Sequence, residues 1–131
     1  MPINRSTDIA LRVLITLSGE ESKKTTISTL SESIGVSERY VGKLIQKLSS
    51  IGWVQTTRGR GGGINISPAG RIVTPAQVIE VWGEGWPDID CLEPRCPLLA
   101  RGCRLLDMIS KADAMFMAAL SNMSMGELAA A

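Results

Sequence analysis

Three cysteines crowd one short stretch of the chain. Cys91, Cys96 and Cys103 follow a C-x4-C-x6-C spacing inside a run rich in glycine and proline. They are the only cysteines, and histidine is absent. An odd number of thiols argues against a disulfide framework. Three thiolates carried by one loop can wrap a soft metal centre. The C-x2-C knuckle of structural zinc sites is missing, and no histidine can complete a Cys3His set. An iron–sulfur cubane held by three thiolates has one iron short of a protein sulfur. Its fourth ligand must then be a carboxylate, another oxygen donor or a small molecule. An iron protected that weakly is open to attack by nitric oxide or oxygen. Three plainer readings stand beside this one: cysteines that only pack, a redox-sensing thiol pair, and zinc held by Cys3Asp. The polar, proline-rich setting weighs against simple packing.

A second group of side chains suits a polyanion. In the segment 37–52, Val41, Leu44, Ile45 and Leu48 form one apolar stripe, and Ser37, Glu38, Arg39, Tyr40 and Lys43 lie on other faces. The early residues of such a helix are those that reach base edges in helix–turn–helix geometry. Arg39 can pair with a guanine edge, and Tyr40 and Lys43 can meet bases or phosphates. Arg58 and Arg60 stand on the glycine-rich tip RGRGGG, where arginine suits a narrow minor groove. The plainer reading is a solvated charged face and an ordinary hairpin.

These groups need elements to hold them. Residues 7–18 read as an amphipathic helix with Ala10, Leu11, Leu14 and Leu17 on one stripe, capped by Ser6 or Thr7. A polar connection, GEESKKTT, leads to a short helix over 27–34 that Gly35 ends. Ser37 caps the third helix, and Gly52 stops it. Strand-like runs at 53–57 and 64–67 flank the glycine tip and read as a hairpin. Pro68-Ala69-Gly70 ends that unit. Thr74 and Pro75 open a helix over 75–83. The cysteine stretch, 84–103, is too irregular for a regular element. From Arg104 to about Asn122 a long helix is expected, with Leu105, Ile109, Ala112, Phe116 and Leu120 on one side. Its apolar face needs a partner, and a second subunit is the obvious supplier. The final AAA is expected to fray. The order of elements describes a mainly α chain with a small β-hairpin: a winged helix–turn–helix followed by a long C-terminal dimerisation helix.

Composition bounds the function. Apolar residues make up 44% of the 131, enough for a core. The net charge of +1 hides a split, because residues 1–71 carry ten basic and five acidic side chains and residues 72–131 carry four and eight. That split points to an anionic partner for the first half only. No run of eighteen apolar residues reads as a membrane span, and the opening segment lacks a signal-peptide pattern, so a cytoplasmic protein with no membrane partner is expected. With no histidine, no nucleophile–base pair and no phosphate loop after a strand, an enzyme is not expected.

The sequence resembles the iron–sulfur winged-helix repressors that include NsrR and IscR. The resemblance runs through TDIALRVL, VSERYVGKLIQKLSSIGWV, the wing RGRGGG, the cysteine loop and the closing helix that ends in MGEL. Within that family the chain looks most similar to the nitric-oxide-sensing NsrR type. IscR-like members are implied to use a histidine just after the third cysteine, where this chain has Arg104, Leu105 and Leu106. The NsrR likeness implies that an aspartate of the first helix can be the fourth ligand, across the dimer, and Asp8 stands at that place. Arg12, one turn later, matches an arginine near the cluster. For Asp8 the local alternative is a favourable charge at a helix N-terminus, paired with Arg12 at i, i+4. The second cysteine gap is six residues, where the family pattern implies five.

The resulting expectation is a homodimeric repressor with a DNA-binding domain over 1–71 and a cluster loop and dimerisation helix over 72–131. It would bind double-stranded DNA at an imperfect palindrome, carry a 4Fe–4S or alternatively a 2Fe–2S cluster, and respond to nitric oxide. The rivals are an iron- or cluster-status regulator of IscR or RirA type and a small iron–sulfur electron carrier.

Overall fold

The computed structural model of the chain describes residues 3–20, 23–83 and 94–131. Helix α1 (Arg5–Gly19) begins two residues earlier than its apolar stripe suggests. Its cap is Asn4, not Ser6 or Thr7. The Asn4 side-chain oxygen accepts from the Thr7 N–H at 2.8 Å and from the Thr7 hydroxyl at 2.9 Å. Thr7 is thereby buried with its hydroxyl satisfied, which an unpaired oxygen in the core would not tolerate. Ile9, Ala10, Val13, Leu14 and Leu17 form the buried face, and Leu11 lies at its margin.

Helices α2 (Ile27–Ile34) and α3 (Glu38–Ser50) meet through the turn at Gly35. Thr26 and Ser37 cap them. The buried residues of α3 are Val41, Leu44, Ile45 and Leu48, the stripe expected from its spacing. The chain then forms strand β1 (Val54–Thr57), which pairs antiparallel with β2 (Gly63–Ile66). Thr25, in the connection before α2, adds a bridge to the free edge of β2. Its N–H and C=O each bond Ile64 at 2.8 Å. The wing tip is tied at the same edge by Lys24, whose ammonium donates to the Gly61 carbonyl at 3.1 Å. Gly59 and Gly61 have φ of 85° and 72°, values that any residue with a Cβ adopts at a cost.

The segment after the hairpin is not a simple stop. Ser67 caps a five-residue helix, α4 (Pro68–Ile72), accepting from the Gly70 N–H at 2.9 Å and donating to the Gly52 carbonyl at 2.6 Å. One buried hydroxyl thus joins the start of α4 to the end of α3. Helix α5 (Pro75–Trp82) follows, with the Thr74–Gln77 capping box and proline in the first turn.

The C-terminal region departs further from expectation. Helix α6 (Leu105–Ala119) has 15 residues, about 22 Å at 1.5 Å rise, and so is shorter than the span to Asn122. The chain turns and forms a separate helix, α7 (Met125–Ala130). MGEL therefore opens a helix instead of closing one, and of the final alanines Ala129 and Ala130 are helical instead of frayed, with Ala131 as the C-cap. Ser124 and Glu127 make a capping box. Met125 is fully buried, and its N–H bonds the Val73 carbonyl at 2.8 Å. Helix α7 packs on α1 and α4, so the end of the chain completes the core that α1 begins. No described helix is long and apolar enough to cross a membrane.

Two outcomes follow from α7. Met125→Ala should lower stability by about 2–5 kcal/mol, measured by urea unfolding, because it empties a fully enclosed site. Glu127 is held below its ordinary value of 4.5 by the Ser124 N–H and then by the Ser124 hydroxyl. A carboxylate with a depressed native pKa adds stability above its unfolded pKa and loses it as pH falls through the native one. Unfolding midpoints taken from pH 7 downward should therefore show an acid-side loss that Glu127→Gln diminishes.

Candidate nucleic-acid interface and cysteine turn

Ser37 is exposed and accepts from the Tyr40 N–H at 3.3 Å, so its side chain fixes the start of α3. Tyr40 is half-buried against the core, with the Arg5 guanidinium 5.7 Å from its ring centroid. Arg39 and Lys43 are exposed one turn apart. Ser37, Arg39, Tyr40 and Lys43 line one small cavity of about 230 Å³ on the outer side of the helix. The wing is brought alongside. Arg39, Lys43 and Arg58 line a single groove of about 480 Å³ between α3 and β1.

Five of the six side chains expected to meet DNA are thus gathered at α3 and its flank. Arg60 is exposed at the wing tip and does not line that groove. The groove also holds Glu38, named with that helix face, and Gln46, Thr56 and Thr57, which the sequence did not single out. Gln46 was legible in principle, because it continues the Arg39–Lys43 face by one more turn. The threonines depend on the hairpin register, which places Thr57 opposite Gly63 and turns the end of β1 toward α3.

Chemically the groove offers three cations, hydroxyls and an amide to a polyanion. Charge alone would serve any phosphate backbone. Arg39 and Gln46 add planar groups that can make paired hydrogen bonds to base edges.

Cys96 and Cys103 lie at the two ends of a tight turn between α5 and α6. The Leu99 N–H bonds the Cys96 carbonyl, and the Cys103 N–H bonds the Leu98 carbonyl, both at 3.1 Å. A single turn of 3-10 helix spans Leu99–Arg101, and Gly102, at φ 80°, reverses the chain before Cys103. Cys96 is partly exposed, Cys103 is exposed, and both thiols are free. Cys91 lies outside the described residues. Among the described residues no three of His, Cys, Asp and Glu are grouped to hold a metal.

Asp8 and Arg12 sit on the outward side of α1. Their side chains are about half exposed, and the Arg12 Nε meets the Asp8 carboxylate at 3.0 Å. Within one chain the local pairing of Asp8 is therefore present.

Residues 3–131 match the Rrf2 family model, described as "Iron-dependent Transcriptional regulator". The chain belongs to the Rrf2 family. Rrf2 proteins are transcriptional regulators and not enzymes. Solved Rrf2-like structures share the fold at low sequence identity. The CymR (YrzC) of B. subtilis, named as the global cysteine regulator, superposes with a TM-score of 0.73 at 22% identity, over 99% of this chain and 97% of that one. Staphylococcus aureus CymR gives 0.70 at 23% identity, over 96% of each chain. T. potens IscR gives 0.70 at 18% identity, over 98% of this chain and 85% of that one. The mainly helical chain with its antiparallel hairpin is the winged-helix arrangement of these regulators.

If the α3–wing groove seats a duplex backbone, each cation removed should cost one released counterion. Lys43→Ala and Arg58→Ala should each flatten the slope of log affinity against log salt by about 1, read by anisotropy on a labelled duplex.

Proposed function

We propose that this Rrf2 protein is a homodimeric repressor that binds an imperfect DNA palindrome, with its operator affinity set by an iron–sulfur cluster and nitric oxide as the signal. The observation that carries the reading is the meeting of Arg39 and Lys43 of α3 with Arg58 of the wing in one groove. Rrf2 regulators bind DNA and act as dimers, and this groove brings three cations from the basic first half of the chain together. Arg39 would read a guanine, Lys43 and Tyr40 would contact bases or phosphates beside it, Ser37 would present the first turn, and Arg58 and Arg60 would follow a flanking minor groove.

Helix α6 supports the dimer. None of its residues is buried, and Leu105, Met108 and Met115 are 49%, 66% and 73% exposed. An apolar face left that open is covered by a second copy in a two-fold arrangement, which also sets two α3 helices about one DNA turn apart. In this reading residues 1–71 hold the DNA and 72–131 hold the cluster and the partner.

The donor set fits a cluster. Two free thiols flank one backbone-bonded turn, a third cysteine stands five positions before Cys96, and the family is described as iron-dependent. Cys91, Cys96 and Cys103 would hold it, of 4Fe–4S or 2Fe–2S type, with the partner subunit's Asp8 as the oxygen donor and Arg12 orienting that carboxylate. When bound, such a cluster supplies an iron that nitric oxide can attack, because its oxygen ligand is weakly held. Asp8 is half exposed on α1, as a ligand offered to another subunit has to be. Its hydrogen bond from Arg12 fixes the carboxylate on the outward side of the helix.

The test is anaerobic reconstitution followed by gel shift before and after nitric oxide. Visible absorption with thiolate-bound iron and a change of about 5–150-fold in operator affinity is the expected result. Unchanged affinity would remove the sensing role. Asp8→Ala should leave iron bound through the three cysteines but shorten the cluster's lifetime in air. Equal lifetimes would favour the local Asp8–Arg12 pairing alone, with IscR- or RirA-type sensing in place of the NsrR type.

A further inference from the structure

The geometry points to Lys47 and Trp82 as a positioning pair that ties the recognition helix to the segment entering the cysteine loop. The inference rests on the cluster-controlled reading above and names the contact through which that control reaches α3.

Trp82 is the last residue of α5 and stands nine positions before Cys91. It is buried to 6% exposure. The Lys47 ammonium, from the last turn of α3, lies 4.1 Å from its ring centroid. That is well inside the range in which a cation is drawn to an indole face. Lys47 is exposed, so its ammonium sits over the indole although water is open to it.

The same corner includes the start of α1. The Asn4 side-chain amide donates to the Trp82 carbonyl at 3.4 Å while its oxygen caps α1. The Asp8 N–H bonds the Asn4 carbonyl at 3.0 Å. Next to Asn4, Arg5 lies over the ring of Tyr40 on α3. Two cations and two aromatics therefore join α3 to the two places from which the proposed ligands depart: the N-terminal turn of α1, which bears Asp8, and the C-terminal end of α5, which leads to Cys91. A shift of either place moves Trp82 or Arg5 directly, and α3 follows through side chains already in contact. The strength expected of an exposed cation over an indole, about two- to fivefold in an equilibrium constant, is enough to shift the balance of a helix between two nearly equal tilts.

Lys47 is the better probe, because Lys47→Met keeps the aliphatic stem over the ring and removes only the charge. Duplexes selected from a random pool by the reconstituted wild type serve as operator. Affinity is measured with the cluster intact and after its removal, for wild type, K47M, K47R and Trp82→Phe. In K47M the ratio of the two affinities should shrink at least threefold, with iron content, circular dichroism and melting temperature unchanged. K47R should restore it, and W82F should weaken it less than K47M does.

A cluster-independent signal accompanies this. With Trp53 and Trp86 replaced by phenylalanine, the emission of Trp82 in cluster-free protein should shift on adding duplex, and K47M should abolish the shift. A lysine that merely contacts phosphate would lower both affinities equally and leave the ratio and the Trp82 emission unaltered, which would overturn the inference. An unchanged ratio in K47M would do the same while leaving the regulator reading in place. A wild-type ratio of one would instead defeat the regulator reading, and this inference with it.

Discussion

The architecture depends on burying one face of α1. Ile9, Ala10, Val13, Leu14 and Leu17 are all at or below 3% exposure, and the helix packs against α2, α4, α5, α7 and β2. Each larger side chain on that stripe contributes about 1.5–3 kcal/mol by leaving water. A helix used so heavily on one side is left with an outward face that has to be polar, and there stand Asp8 and Arg12. The placement of the charged pair is thus a consequence of core packing. Helix α1 carries the centre of the fold on one side and a carboxylate directed outward on the other.

Helix α6 poses the opposite problem. It has the length of α1 but no buried residue. The C-terminal end of the region is tied to the core where Leu120 accepts from the Ala76 N–H at 3.1 Å and where α7 turns back onto α1. A 15-residue helix with no buried residue, and with methionines and leucine facing outward, gains stability when that surface is covered. The C-terminal six-residue helix packs back onto α1 and α4, while α6 keeps an exposed apolar surface.

Most of this was legible in the residues. The stripes of α1 and α3, the glycine turn between α2 and α3, the hairpin and the capped start of α5 follow from period and end signals that act over a few residues. What escaped reading depends on tertiary contact. The segment NRSTD offers several side chains able to cap a helix, and Asn4 is selected where it can also reach the Trp82 carbonyl, 78 positions away. Helix α7 is too short to be stable by itself, and Met125 decides it by filling the space beside α1. Helix α4 has five residues and is fixed by Ser67, which bonds back to Gly52. At the candidate interface the charged types were legible, but the convergence of Arg39, Lys43 and Arg58 with Gln46 and Thr57 comes from the hairpin register. For the cysteines, spacing named the donor set, and the turn that joins Cys96 to Cys103 needed Gly102 in the left-handed region.

A net charge of +1 gives this molecule almost no long-range attraction for a polyanion. Orientation therefore has to come from where the charges are. Three of the ten basic side chains of the first half, Arg39, Lys43 and Arg58, meet in one groove of α3 and the wing, and at the ionic strength of a cell their field extends only about 8 Å. The acidic excess lies in the second half, which contains the cysteine loop and α6. Any duplex that approaches that half is repelled, and one that reaches the groove meets three cations together. Glu38, in the first turn of α3, lies in the same groove. It is favoured there by the helix dipole and disfavours a phosphate beside it. On the proposed reading the groove would accept a backbone near Lys43 and Arg58 and resist one over Glu38. That polarity would give α3 one preferred register on a duplex, and a register is what a small rotation of the helix can spoil.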